Sequence, residues 1–345
     1  MAQLIKLQDF ISRYETDIYR YPSQFLRLKK SRWDGIKREW YNGTLQQVKF
    51  GALPVEFGEY REEEWDSDDW LSDGRKSIFS SVKSWFSKNK NKQEDSYFEN
   101  DFFSASSEFQ RTEERRTLED IKLEFLDELL RFQIMWASST LRERSLVNQS
   151  YYYDPILRFL LQEFPDNYLV LYNPILQIKN APVELEIILI SPTTTWCMTV
   201  LESREKESDV FRVDKGRYWI EGYGEEERKR INPTISLNRM YRIVHSIYEQ
   251  MGVDLPIKKI VLTRQSFIEG AHASTDTLYV DRLNFEEWHG RMKRMPSPLK
   301  HVQLKAAQAL LNFSQSTYIK RPEWEEEDEH EQDREDQDDS NTSSL

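Results

Sequence analysis

One cysteine, Cys197, stands among 345 residues. An intrachain disulfide and a cysteine-based zinc site are thereby excluded. That usage suits a reducing, cytoplasmic compartment. Histidine is sparse as well, and the five, at 245, 272, 289, 301 and 330, show no close metal-ligand spacing. No apolar run approaches the roughly 20 residues of a membrane-spanning helix. The first residues, MAQLIKLQDFISRYE, lack the unbroken apolar stretch of a secretory signal. Glycine-rich phosphate loops, serine-elbow motifs and kinase signatures are absent.

What charge there is lies unevenly. The net charge is −12, and from Glu323 onwards twelve acidic residues and one Arg carry −11 of it. Residues 1–322 are therefore almost neutral, at −1. The last stretch, 323–345, reads as a disordered acidic tail, because a block of like charges repels and cannot bury a core. Aromatic residues make up 13% of the chain, enough for a sizeable core elsewhere.

Residues 1–50 read as a basic helical segment, with ten Lys/Arg against five acids. Phe10, Tyr14 and Ile18 recur at helical spacing, and Pro22 can open a second helix over 24–40. In that helix Arg27, Lys29, Lys30, Arg32, Lys37 and Arg38 interleave with Phe25, Trp33 and Trp40. Such a face either contacts phosphates or is the solvated side of a packed amphipathic pair. Residues 51–109 read as a flexible linker with an acidic run over 56–73 and a Ser/Asn/Lys-rich part. Within it Ile78, Phe79, Val82, Trp85 and Phe86 can form a short amphipathic turn. An amphipathic helix follows within 110–145, over about 112–137. Its stripe Leu118, Ile121, Phe125, Leu129, Phe132 and Trp136 must cover a core or a partner.

Residues 146–290 carry the α/β pattern. Asp154-Pro155 caps and opens a helix through Phe164. Strand-like runs follow at 168–172, 183–190, 196–201, 217–220, 259–263 and 277–280. Asn232-Pro233 opens a further helix, and Gly252 stops it. A last helix, over 299–313, falls within the segment 291–322. Helix, strands, helix, strand predicts an α/β sandwich with a mixed central sheet.

The candidate chemistry lies between Val183 and Asn232. In VELEIILI, strand alternation puts Glu184 and Glu186 on one face. In TWCMTVLESREK it lines up Trp196, Met198, Val200, Glu202, Arg204 and Lys206. If neighbouring strands bring Glu186 and Glu202 together, two carboxylates can share a divalent ion such as Mg²⁺. A nearby base can then hold an attacking water.

This pattern resembles the nuclease-related domain family, NERD, a bacterial and archaeal group within the PD-(D/E)XK nuclease-like fold. The resemblance spans about 152–267. It rests on Glu184-Leu185-Glu186, the turn Ser191-Pro192, Glu202-Ser203-Arg204, and Asn232-Pro233 opening a long helix. It implies a restriction-endonuclease-like α/β fold and a Mg²⁺-dependent phosphodiesterase site, with Glu186 and Glu202 as metal ligands and Arg204 or Lys206 positioning water. The departures are marked. Glu186 stands where the family has Asp, Arg204 stands where it has Lys, and Ser236 stands where it often has Gln. The acid expected in the first helix has only Asp154 or Glu163 to match it. An Arg is a planar fork rather than a compact ammonium, so the implied centre is a degenerate one. Three readings remain open from sequence: a weak or inactive module that binds nucleic acid or protein, a Mg²⁺-dependent nuclease, and a cytosolic interaction scaffold.

Overall fold

The computed structural model describes residues 1–45, 48, 116–179, 181–202, 210–214, 216–223, 226–271, 277–295 and 297–320. The chain divides into two units, residues 1–51 with 118–345, and residues 52–117. Only the first is described below. The expected linker turn at 78–86 and the acidic tail at 323–345 lie outside the described residues.

A six-stranded mixed sheet forms the centre. Its strands are β1 (Gln3–Leu7), β3 (Leu169–Tyr172), β6 (Ile187–Ile190), β7 (Thr195–Val200), β11 (Ile257–Leu262) and β13 (Thr277–Val280), in that spatial order. The middle strands β3, β6 and β7 are antiparallel neighbours. The outer pairs β1–β3, β7–β11 and β11–β13 are parallel. Val170, Ile188, Leu189, Met198 and Ile260 are wholly buried, which explains why these strands read as near-continuous apolar runs.

The N-terminal segment differs from the expectation of a helical extension. Residues 3–7 are the edge strand β1, fully buried, with Lys6 the charged residue inside it. Only a one-turn helix, α1 (Arg13–Thr16), follows, held by a capping box between Ser12 and Glu15. The helical spacing of Phe10, Tyr14 and Ile18 was therefore a turn and a short helix, not one long element. The next helix, α2 (Tyr21–Tyr41), carries Pro22 in its first turn as expected.

The amphipathic stripe meets its own core. Helix α3 (Leu118–Trp136) buries Ile121, Phe125, Leu129, Phe132 and Trp136. Phe132 stacks on Phe25 and Phe125 on Trp33, both of α2. Gln133 of α3 also seals the sheet edge. Its Oε1 accepts from Leu4 N–H at 2.7 Å, and its Nε2 donates to the Ala2 carbonyl at 2.9 Å. Two outward backbone groups at β1 are thus occupied.

Helices α4 (Pro155–Glu163) and α5 (Pro233–Met251) begin at Asp154 and Asn232, whose side chains accept from the free first-turn N–H groups. Gly252 ends α5 at φ +60°, a conformation glycine adopts without strain. Two further helices, α6 (Phe285–Lys293) and α7 (His301–Asn312), complete the layers.

The run at 183–190 is broken. Residues Ala181–Glu184 form β5, which pairs with β4 (Ile175–Ile178) in a side hairpin, and the central strand begins only at Ile187. Lys179, at φ +57°, turns that hairpin, and Asn173, at φ +48°, leads into it. Glu184 is therefore exposed on the hairpin rather than paired with Glu186 on one strand face. A second sheet, in the order β10 (Glu226–Ile231), β9 (Tyr218–Tyr223), β8 (Val210–Arg212) and β12 (Phe267–Glu269), follows β7 in the chain. A short pair, β2 (Glu143–Arg144) with β14 (Ile319–Lys320), ties the last described strand to the segment that follows α3. Among the described residues no helix is long and apolar enough to cross a membrane.

Candidate functional site

Register decides which carboxylates can meet. Ile187 pairs with Met198, and Tyr172 pairs with Ile187. Cross-strand partners share a face, so Tyr172, Ile187 and Met198 point one way. Thr195, Cys197 and Thr199 point the other. The Tyr172 hydroxyl donates to Asp154 Oδ2 at 2.7 Å, which fixes the first face as that of the α4 N-terminus. Thr195 Oγ1 lies 2.8 Å from the Tyr248 hydroxyl of α5, which fixes the second face as that of α5.

Glu186 extends the β3–β6 ladder by one residue, its carbonyl accepting from Asn173 N–H at 2.7 Å. The same register sets it opposite Thr199, on the α5 face. Its Oε1 accepts from Ser236 Oγ at 2.5 Å, in the first turns of α5. Glu202 follows Val200 by two residues and so lies on the α4 face. It is ion-paired with Arg264, whose guanidinium sits 4.8 Å from the centre of the Phe159 ring of α4. Glu202 also adds to the forces holding the Tyr172 hydroxyl protonated, after burial and Asp154.

The expected pair is therefore not brought together. Glu186 is held toward α5 by Ser236 and Glu202 by Arg264 beside α4, so each already has a partner. A Mg²⁺ ion shared by Glu186 and Glu202 does not fit these residues. Among the described residues no group of three or more His, Cys, Asp or Glu is placed to hold a metal. Arg204 and Lys206, the expected water-positioning bases, lie outside the described residues. Of the first-helix candidates, Asp154 spends Oδ1 on Ile156 and Leu157 N–H and Oδ2 on Tyr172. Glu163 is ion-paired with Lys293. Glu202 thus acts on Tyr172, the partner of Asp154.

Around Glu186 lies an open pocket of about 630 Å³ between β7, the end of β10 and the start of α5. Leu201 and Thr199 are buried in its wall, and Ile231 and Ile235 stand exposed at its mouth. Arg230 and Arg239 also line it. Arg239 donates to the Glu184 carbonyl at 3.2 Å. Arg230 lies 3.6 Å from Glu221 and donates to the Glu202 carbonyl at 3.5 Å. Sequence reading named neither Arg239 nor Thr199. Arg239 follows Ser236 by three residues and so shares its helix face, a signal that was legible. Arg230 lies in EERKRI, a strand with no apolar alternation to mark it.

No family model matches the chain, and no solved structure matches it. An RNA 2′,3′-cyclic phosphodiesterase of Geobacillus stearothermophilus is 55% identical over 40 residues, 12% of this chain. The chain covers 13% of that protein's length.

Proposed function

We propose that this chain is a nuclease-related α/β protein whose cutting centre has decayed, and that it binds nucleic acid without cleaving it. The observation that carries this reading is that Glu186 is held by Ser236 of α5 and Glu202 by Arg264 beside α4, so that neither carboxylate is open to a shared ion. Catalysis of phosphodiester hydrolysis through one shared ion needs both at the same oxygen cage. The mixed sheet flanked by helices, and the two Pro-opened helices in their expected places, support the nuclease-like fold. The pocket at Glu186 keeps arginine at its rim, which favours a phosphate-bearing partner. The scaffold reading loses ground because the α3 stripe is consumed by α2 and β1. The 40 residues shared with the Geobacillus phosphodiesterase are too few to bring its activity here.

The test is fluorescence anisotropy with labelled single-stranded DNA, duplex DNA and RNA, each also incubated with Mg²⁺ or Mn²⁺ and run on a gel. Binding that weakens as salt rises, with no cleavage, is the expected result. Absence of binding to all three polymers would remove the nucleic-acid reading.

A further inference from the structure

The Glu186 pocket has an unusual division of chemistry. Its wall holds a carboxylate and two hydroxyls. Thr199 is only 6% exposed, and its Oγ1 has no hydrogen-bond partner among the described residues. A buried hydroxyl without a partner costs free energy unless a ligand or water supplies one. Glu186 uses Oε1 for Ser236, and Oε2 has no protein partner among the described residues. The mouth is cationic. Arg239 is exposed and has no ion pair among the described residues, and Arg230 has donors left beyond its contacts with Glu221 and Glu202. Between them the sides are apolar, made by Pro233 and Ile235.

A bare anion fits poorly, because Glu186 would repel it at depth. A purely apolar ligand would leave the carboxylate and Thr199 unpaired. The complementary ligand has a neutral, flat, hydrogen-bond-donating part that goes in and a phosphate that stays out. Carboxylates serve this way toward ribose hydroxyls and base amino groups, and guanidinium groups match phosphate by paired donors. The volume of about 630 Å³ is that of a small-molecule site rather than of a groove for a duplex.

We propose that this pocket binds a single nucleotide, its base and sugar against Glu186 and Thr199 and its phosphate on Arg239 and Arg230. This rests on the nucleic-acid reading above and narrows it to a mononucleotide or the phosphorylated end of a single strand. The test is calorimetric titration of the full chain with AMP, GMP, CMP and UMP, with adenosine and inorganic phosphate as part-ligands. A 5′-phosphorylated tetranucleotide and its unphosphorylated form separate strand end from free nucleotide. At least one monophosphate is expected to bind about tenfold or more tighter than its nucleoside or phosphate alone. Arg239→Ala is expected to remove most of that preference. Arg239 is exposed, so this variant should fold, and Arg239→Lys should restore part of the affinity. Thr199→Val and Glu186→Gln are expected to weaken the nucleoside part while leaving the phosphate contribution. Polymer binding without any saturable mononucleotide or strand-end binding would overturn the pocket and leave the nucleic-acid reading standing. Mononucleotide binding without polymer binding would uphold the pocket and remove that reading. Equal binding by Arg239→Ala would overturn the pocket assignment.

Discussion

Lys6 offers the sharpest test of how the two ends of the described unit are held. It lies in β1 with a wholly buried side chain, and its three donors are all used. They reach Glu15 Oε1 at 2.5 Å, the Phe10 carbonyl at 2.8 Å and Ser316 Oγ at 2.8 Å. Burial lowers the Lys6 pKa, and Glu15 opposes that by stabilising the ammonium. Glu15 also accepts from Ser12 N–H at 3.2 Å and from Ser316 Oγ at 2.7 Å. Removing Glu15 leaves a buried charge with neutral acceptors only, so Glu15→Ala is expected to cost about 3–5 kcal/mol. Removing the charge instead should cost less. In Lys6→Met the stem still packs, and Glu15, 21% exposed, can turn to water, so about 1–3 kcal/mol is expected. The double variant Lys6→Met, Glu15→Gln should lie closer to the parent than Glu15→Ala does, because the pair is removed together. Urea unfolding of the four proteins measures this. A cost below about 1 kcal/mol for Glu15→Ala, the value for an exposed pair, would refute the reasoning.

Three further outcomes follow from burial. Cys197 lies inside the sheet, and burial pushes its thiol up to about 12, so a thiol reagent at pH 8 should label it only after unfolding; rapid labelling of the native protein would contradict its placement. His289 packs among Phe159, Phe164 and Phe285, and burial, then Lys293, lower its pKa against the raising effect of Glu163 and Glu286. The unfolded chain therefore binds that proton more readily. The His289 contribution should be present above about pH 6.5, the unfolded value, and lost as pH falls below that toward the lower folded value, and His289→Leu should flatten the unfolding curve below about pH 6.5. Leu129 is wholly buried, so Leu129→Asp should destabilise the protein by several kcal/mol, roughly the cost of an unpaired buried charge; a stable variant with altered size on gel filtration would make the α3 stripe a partner surface.

The helices were the legible part of this chain. Asp154-Pro155, Asn232-Pro233 and Gly252 are local signals whose chemistry needs only neighbours in sequence, and they mark helix ends within a residue or two. The central strands were legible because apolar runs of that length are buried on both sides. Strand β1 was not, because five residues with a lysine among them show no alternation, and what buries Lys6 comes from Glu15 and from Ser316, about 300 residues away in sequence. Strand β10 was not, because all but Ile231 of its residues are charged. The candidate site was half legible. Alternation lines Glu202 up with Met198 and Val200 from one strand alone, but the face of Glu186 relative to it depends on the β6–β7 register, which no single strand contains. Arg264, the residue that occupies Glu202, follows β11 in a turn with no motif around it.

The most direct measurement is a cleavage assay in Mg²⁺ and in Mn²⁺ on supercoiled DNA, single-stranded DNA and RNA. It compares the parent with Glu202→Ala and with Glu186→Asp, Arg204→Lys, and metal binding is titrated in parallel. With Ser236 on Glu186 and Arg264 on Glu202, the account predicts no metal-dependent cleavage by the parent. It also predicts no change in metal affinity on Glu202→Ala. Robust parental cleavage abolished by Glu202→Ala, with loss of a bound ion, would contradict it.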